Sequence, residues 1–264
     1  MAEPRQVTGA PSFVATSQAV LLVRIFIVAA VLAAWEAVSA SGLLFQGVVP
    51  SLLAIGAAVG ALLADADFYR QLAVTALEVA TALVIGGLSG LAVGLVLGAS
   101  RFLGRAFEPY LYYLGPTPKI IFFPIMIMWF GVGPGSKVAM GAVSCFFPIA
   151  LSTAAGMRQI DRVLIRVGRS FRAHAWQMTT KIYLPAMRQP IVNGVRLGLG
   201  VAIIGTLLAE TKLSNRGIGF LIINSYSTFN MPRMYALLII LFVAAIGTNA
   251  LVARFGAARP GRTT

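Results

Sequence analysis

Four charged side chains interrupt long apolar stretches of the sequence: Glu36, Glu78, Arg196 and Glu210. Placing a charge in lipid costs about 2.5–3.5 kcal/mol on insertion scales, so each group needs a partner, a wet cavity or a position near the membrane surface. Arg24 is close enough to the start of its stretch to extend its guanidinium group to that surface. The four residues are therefore candidates for pairing or for a functional site.

The expectation differs from one charge to the next. Arg196 lies about two helical turns into its stretch, where it can pair with a carboxylate, bind an anionic solute or reach the aqueous surface; we expect the pair. Glu210 ends its stretch, and it either caps a gate, pairs with Lys212 or Arg216, or is a solvated helix end. Glu78 begins its stretch, so partial exposure is expected.

Patterns for catalysis and for metal binding are weak. Gly87-Leu88-Ser89-Gly90 matches the G-x-S-G of intramembrane serine proteases, but that chemistry needs a histidine beside the serine. The only histidine, His174, lies in a basic segment, so we expect the small residues to allow close helix packing. One histidine cannot supply the usual metal site, and Cys145, the only cysteine, is expected to pack as a small apolar residue. The sequence has no phosphate-binding G-x-x-x-x-G-K-[ST] loop.

The composition predicts the elements that carry these residues. Of 264 residues, 58% are apolar and 11% are charged, whereas a soluble domain has about 25% charged residues. An ordinary soluble enzyme and a disordered chain are thereby excluded, and the fold class is all-α, a polytopic membrane protein. About 20 apolar residues cross a bilayer. Six stretches qualify: Ala19–Ala40, Thr75–Leu97, Tyr110–Phe130, Val138–Ala155, Pro190–Ala209 and Met234–Arg254.

The third stretch is interrupted by Pro116, Pro118 and Pro124. Each proline removes a backbone donor and favours a kink, and in lipid such a break needs protein or a wet cavity to satisfy the freed groups. The break predicts either a translocation pathway or a packing kink. Large side chains that line such a pathway, or simply pack, follow the break: Phe122, Phe123, Met126, Met128 and Trp129.

The charge distribution predicts the orientation. With the N-terminus inside, 13 of the 18 cations outside the spans face the cytoplasm, as the positive-inside rule requires. The outer five are Arg70, Lys137, Lys212, Arg216 and Arg233. A flexible cytoplasmic tail (residues 1–18), a transmembrane domain (19–255) and a second cytoplasmic tail (256–264) are expected. The same bias explains the net charge of +13 without nucleic acid.

The cytoplasmic segment Arg158–Arg188 has the clearest pattern. Asp161 can cap a helix start. One face of that helix is apolar: Val163, Leu164, Val167 and Phe171. The other is basic: Arg162, Arg166, Arg169 and Arg172. Such a helix rests on anionic headgroups or docks on a cytoplasmic partner.

This segment resembles the cytoplasmic pattern of permease subunits of type I ABC importers, which reads Glu-Ala-Ala, three residues, Gly, nine residues, Ile-x-Leu-Pro. Ile182-Tyr183-Leu184-Pro185 matches its end, whereas Arg166-Val167-Gly168 stand at the Glu-Ala-Ala positions and Arg172 at the Gly position. Other stretches are similar to the nitrate, sulfonate and taurine branch of the binding-protein-dependent transport inner-membrane component family. They are Val49-Pro50-Ser51, Pro118–Pro124, Trp129–Gly133, Ser136-Lys137, Phe146-Phe147-Pro148, Ala209-Glu210 and Gly217–Ile222.

The resemblance covers roughly Val49–Arg254 and implies a non-enzymatic permease subunit in the bacterial inner membrane, with about six spans and a coupling helix between spans four and five. It implies a second permease chain, identical or different, two cytoplasmic ATPase subunits that carry ATP and Mg²⁺, and an external solute-binding protein. Membrane lipid surrounds it, and the solute is a small anion or zwitterion such as nitrate or a sulfonate.

The resemblance also implies roles for individual residues. Those expected to couple to the ATPase are Arg162, Arg166, Val167, Gly168, Arg169, Ser170, Phe171, Arg172, Ile182, Leu184 and Pro185. Glu210 joins the five large residues after the break as a pathway or gate residue. Two alternatives are a membrane anchor that transports nothing and an ion-coupled secondary transporter, for which inverted repeats would be expected.

Overall fold

A computed structural model describes residues 17–42 and 47–256, and within these ranges every regular element is helical. The long helices are α1 (Ser17–Ser41), α3 (Ala66–Ala99), α6 (Pro134–Arg158), α10 (Arg188–Lys212) and α12 (Met231–Gly256). Shorter helices are α2 (Leu52–Ala64), α4 (Arg101–Leu114), α5 (Phe123–Phe130, preceded by a 3₁₀ turn at Lys119–Phe122), α7 (Arg162–Ser170) and α11 (Ile218–Ser227). Single turns α8 (Ala175–Gln177) and α9 (Leu184–Ala186) flank a π-helical turn, Met178–Tyr183.

Five of these helices are long and apolar enough to cross a membrane: α1, α3, α6, α10 and α12. The predicted stretches all fall on them or on the α4–α5 pair, which makes six if that pair is counted as one span. The helices extend beyond the predicted stretches; α3, with 34 residues, begins nine residues before Thr75. Most of the two predicted tails, residues 1–16 and 257–264, lies outside the described residues.

The chain divides into two compact units after Ala57. In the first unit, the C-terminal half of α1 is tied to the segment before α2. Trp35 Nε1 donates to the Pro50 carbonyl oxygen at 3.0 Å, and Glu36 Oε2 accepts from the Leu52 amide at 2.9 Å. A carboxylate at the first residue of a helix satisfies a free backbone donor and favours the helix dipole. Glu36 therefore has a structural partner.

In the second unit, α6 is the central helix and packs most extensively against α3 and α10. The α3–α6 contact is close because small residues meet there: a methyl group at Gly90 would lie 2.8 Å from the Phe146 carbonyl oxygen. Ser89 donates to the Ile85 carbonyl oxygen of its own helix at 2.8 Å. The packing prediction for Gly87–Gly90 is thus confirmed. Cys145 is also buried in this core, as predicted.

The predicted break in the third stretch is confirmed. Helix α4 ends at Leu114, and the segment Lys119–Phe130 is bent by 92° from it. Thr117 precedes Pro118, and a residue before proline disfavours the helical conformation. The Lys119 ammonium group donates to the Gly115 carbonyl oxygen and lies 5.1 Å from the centroid of the Phe147 ring. The break is held by contacts within the protein.

Candidate functional site

Glu210, near the C-terminal end of α10, is completely buried. Its Oε1 accepts a hydrogen bond from Thr75 Oγ1 of α3 at 2.7 Å, and its Oε2 accepts from the Gly219 amide of α11 at 2.6 Å. A buried carboxylate is stable only when it is paired and hydrogen-bonded. The side chain therefore joins three helices at one end of the bundle.

The N-terminal turn of α11 is held by side chains from α3. Thr75 Oγ1 accepts from the Ile218 amide at 2.8 Å, and Gln71 Oε1 accepts from the Gly217 amide at 2.8 Å. The first amides of a helix have no partner within it, so these bonds, with that of Glu210, fix the position of α11. Gly217 has a φ of +99°, and a methyl group there would meet the Glu210 carboxylate.

Two further charges complete this site. Glu78 of α3 is 6% exposed, and its carboxyl group lies near that of Glu210. Lys137, in the first turns of α6, is 1% exposed and donates to the Val132 and Leu213 carbonyl oxygens, the latter at 2.8 Å. Its ammonium group attracts both carboxylates. We call Thr75, Glu78, Lys137 and Glu210 the carboxylate–lysine cluster.

A cavity of about 370 Å³ lies beside this cluster. Its wall includes Glu78 and Lys137 of the cluster, together with Val132 and Arg216. Glu78 Oε2 has no hydrogen-bond partner among the described residues. The cluster is thus buried within the protein and borders a cavity on one side.

The sequence identified Glu210 but not its surroundings. The expectation of a solvated helix end is wrong, and the partners of Glu210 are Thr75 and Gly219 rather than Lys212 or Arg216. The partial exposure expected for Glu78 is also wrong, and Lys137, which the sequence places among the outer cations, is buried within the protein. Thr75 and Gln71 were missed.

Arg196 pairs with another side chain of the protein, as expected, but this partner is not a carboxylate. Its Nε donates to Asn249 Oδ1 of α12 at 2.9 Å, so the acceptor is an amide instead of a carboxylate. The guanidinium group remains exposed. The bond ties α10 to α12.

The five large side chains after the break divide into two groups. Phe123 is buried, and together with Met126 it packs in a small core that contains Met140 of α6 and Ala209 of α10. The others are exposed: Phe122, Met128 and Trp129.

The helix predicted to begin after Asp161 is present as α7. Asp161 caps it, accepting from the Val163 amide at 2.8 Å through Oδ1, as predicted. The predicted apolar face, Val163, Leu164 and Val167, is about half exposed. Phe171, just beyond the helix, is 83% exposed. This face is not covered by any described part of the chain.

The other side of α7 is attached to the bundle. Met178 and Ile182 pack on Gly168, where a methyl group would overlap both. Ile165 packs on a core that joins the ends of α6 and α10: Met157, Ile160 and Met187. Leu184 and Pro185 form α9, directly before α10. Helix α7 is therefore packed against the residues that end α6 and precede α10.

The basic side chains of this segment point away from its core. Arg162, Arg166 and Arg169 are exposed, as is Ser170. Arg172 has a φ of 53°, in the left-handed region, and reverses the chain after α7. His174 caps α8 together with Gln177. Among the described residues no group of three or more histidine, cysteine or acidic side chains is arranged to hold a metal ion.

Comparison with known proteins gives a family and several relatives. Residues 86–258 match the family described as the binding-protein-dependent transport system inner membrane component. The chain is 28% identical to the putative aliphatic sulfonates transport permease protein SsuC of Bacillus subtilis, over 85% of this chain and 81% of that protein. It is 30% identical to the taurine transport system permease protein TauC of Escherichia coli, over 79% and 77%. It is 28% identical to the nitrate import permease protein NrtB of Synechococcus elongatus, over 60% and 56%.

The match covers most of the chain and includes the break, α6, the α7 segment, α10 and α12. It agrees with the resemblance found in the sequence and with the apolar helices of the structure. This chain therefore belongs to the binding-protein-dependent transport system inner membrane component family, and it is a membrane-spanning permease subunit of an ABC importer.

Proposed function

We propose that this chain forms the translocation pathway for a small anion or zwitterion and that α7 transmits nucleotide-driven movement of a cytoplasmic ATPase to the spans. The exposed apolar face of α7, on a helix packed against the ends of α6 and α10, carries the proposal. An apolar face with no partner in its own chain is available for a binding partner. Its attachment gives that partner a mechanical connection to the membrane helices.

The docking surface combines two chemistries. Phe171 is its anchor, because a large aromatic side chain often dominates an interface once it is buried. Arg166 and its neighbour Arg169 suit carboxylates or carbonyl oxygens on the ATPase, which match the planar guanidinium fork. In the Glu-Ala-Ala pattern the residue at position 166 is acidic, and it would pair with a basic group on the ATPase instead.

Membership of the family supports an assembly of several chains. A second permease chain, either identical or an orthodox Glu-Ala-Ala chain, completes the pathway. Two ATPase subunits carry ATP and Mg²⁺, this chain carries no cofactor, and an external binding protein delivers the solute. Both termini and residues 158–188 face the cytoplasm, so the carboxylate–lysine cluster lies at the outer end.

The relatives support the solute class. The names of three of them specify aliphatic sulfonates, taurine and nitrate, which are anions or a zwitterion. A binding protein encoded beside this chain should therefore hold a ligand of that class when it is purified. A cationic ligand there would contradict the solute class and leave the permease function unaffected.

The cluster supports a gate at the outer end. Glu210 holds α10, α3 and α11 together, and the cluster borders a cavity. ATP binding must favour one permease conformation over another by a differential free energy. To open this end, the hydrogen bonds of Glu210 to Thr75 or to Gly219 must break, or the helices that they join must move together.

Phe171→Ala and Arg166→Glu test the coupling. Both side chains are exposed, so membrane insertion and thermal stability should be unchanged. We expect Phe171→Ala to weaken ATPase association by at least tenfold, the effect of losing more than about 1.4 kcal/mol, and both variants to lower solute-stimulated ATP hydrolysis. Ser227→Ala, on α11, is the matched exposed control. If both variants stay fully coupled, α7 is a surface helix and the coupling element lies elsewhere.

A further inference from the structure

A second cavity, of about 950 Å³, lies where α4, the C-terminal end of α6 and α7 converge. Two kinds of surface line it. The floor is apolar and buried: Leu97, Met157 and Ile160. The rim is basic: Arg101, Arg105, Arg158 and Arg162. A space that is apolar at depth and cationic at its edge fits an amphiphilic anion.

The positive charge of the rim is only partly offset within the cavity. Glu108 is the only acidic residue in its wall, and it accepts a hydrogen bond from Arg158 Nη2. Within residues 17–42 and 47–256, no carboxylate lies within 4.0 Å of the other three guanidinium groups. Arg101, Arg105 and Arg162 are also exposed. Three cations are thus available to a ligand.

One face of helix α4 lines the cavity. Arg101, Arg105, Glu108 and Tyr112 recur at helical spacing on that face. The opposite face exposes Phe107 and Tyr110. Tyrosine is enriched at membrane–water interfaces, so we place the N-terminal part of α4 at the depth of the lipid headgroups.

We propose that this cavity binds an anionic phospholipid, with the phosphate between Arg101, Arg105 and Arg162 and the start of an acyl chain on the apolar floor. Guanidinium groups bind phosphate oxygens through paired, charge-assisted hydrogen bonds, and basic pockets between membrane helices bind anionic headgroups. An inorganic anion has no apolar part that could contact the floor, and neither have the carboxylate groups of a protein partner.

The bound lipid would join α4 to the first residue of α7. Arg162 begins α7, whereas Arg101 and Arg105 belong to α4. One phosphate shared between the two helices would fix their separation. The lipid therefore serves as a structural ligand that positions α7.

The full-length chain in detergent, titrated with short-chain phosphatidylglycerol and with phosphatidylcholine of the same chain length, tests the proposal. Binding is followed by native mass spectrometry and by the shift in thermal unfolding temperature. The variants are Arg101→Gln and Arg105→Gln, and Arg254→Gln, an exposed arginine in the last turn of α12, is the matched control. Arg105→Lys keeps the charge, and the unfolding temperature without lipid shows that each variant is folded.

We expect phosphatidylglycerol to bind the unaltered chain more tightly than phosphatidylcholine. Each Gln variant should weaken phosphatidylglycerol binding roughly fivefold, from the attraction of one cation near an anionic surface. Arg254→Gln should have no effect, and Arg105→Lys should retain most of the binding. Equal losses for the control, or none for the two variants, would overturn the proposal.

Two further outcomes would also overturn it. If inorganic phosphate displaces phosphatidylglycerol at an equal concentration, the site binds soluble anions. If Arg105→Gln weakens association with the ATPase chain and leaves phosphatidylglycerol binding intact, the cavity is part of a protein interface.

Discussion

The Thr75 hydroxyl group donates to Glu210 at 2.7 Å and accepts from the Ile218 amide at 2.8 Å. Thr75 therefore connects a buried carboxylate of α10 to the first turn of α11, although it belongs to α3. The two bonds use both capacities of one hydroxyl group, so a change at either end leaves a buried polar group without a partner. Glu210 and Thr75 together hold α3, α10 and α11 to one another at this end of the bundle.

Glu210→Ala should destabilise the chain, at about 1–3 kcal/mol for each buried polar group that loses its partner. The change leaves the Gly219 amide and the Thr75 hydroxyl group without their common acceptor. Glu210→Gln should cost less because its amide oxygen still accepts one bond. Unfolding in detergent measures both. Lys212 is an exposed cation two residues away, so Lys212→Ala should change the free energy of unfolding little. If Lys212→Ala lowers it as much as Glu210→Ala, burial of the Glu210 side chain is not the cause of the loss.

Gly217→Ala should also be strongly destabilising. The backbone at Gly217 has a φ of +99°, which an L side chain rarely adopts, and a methyl group would overlap the Glu210 carboxylate. Gly200→Ala in α10 is the matched control, because nothing lies within 4 Å of its added methyl group. In a helix interior, alanine is favoured over glycine by about 0.5–1 kcal/mol. The unfolding temperature should therefore fall for Gly217→Ala and stay level or rise for Gly200→Ala. Equal shifts would contradict this account.

Lys137→Met should destabilise the chain because it removes the donor to the Leu213 carbonyl oxygen and the ammonium group that attracts Glu78 and Glu210. Adding Glu78→Gln to it should recover part of the loss, since a glutamine side chain at that position needs no cation. A double-mutant cycle measures this coupling, expected at about 0.5–3 kcal/mol for residues of one network. Lys181→Met, an exposed control, should show no coupling to Glu78→Gln. Strictly additive losses for Lys137 and Glu78 would mean that the two side chains do not interact.

Cysteine labelling in intact cells tests the topology. The labelled variants are made in a Cys145→Ala chain, which has no other cysteine. Ser170, at the end of α7, and Asn215, beside the carboxylate–lysine cluster, are both exposed. An impermeant reagent should label Asn215→Cys from outside and Ser170→Cys only after the cells are permeabilised, because the excess of cations marks the cytoplasmic side. The reverse pattern would place α7 outside and remove its proposed role.

Local properties of the chain were predicted well. Whether a segment can span a membrane depends on the mean apolarity of about 20 consecutive residues. All six predicted stretches accordingly correspond to long helices or to the bent α4–α5 pair. The break after Leu114 follows from proline stereochemistry, and the Asp161 cap follows from a side chain that reaches an amide two residues ahead. Each of these depends on neighbours in sequence.

The sequence by itself determined that this is an all-helical membrane protein with a patterned basic segment and a broken third span. Only the tertiary structure decided what surrounds Glu210. Thr75 lies 135 residues away in the chain, and Lys137 becomes buried because α6 packs between α3 and α10. Hydropathy and periodicity describe one helix at a time, whereas a buried hydrogen bond depends on the rotation and depth of several helices at once. For that reason the sequence allowed a solvated position for Glu210 at its helix end, whereas the folded chain buries it.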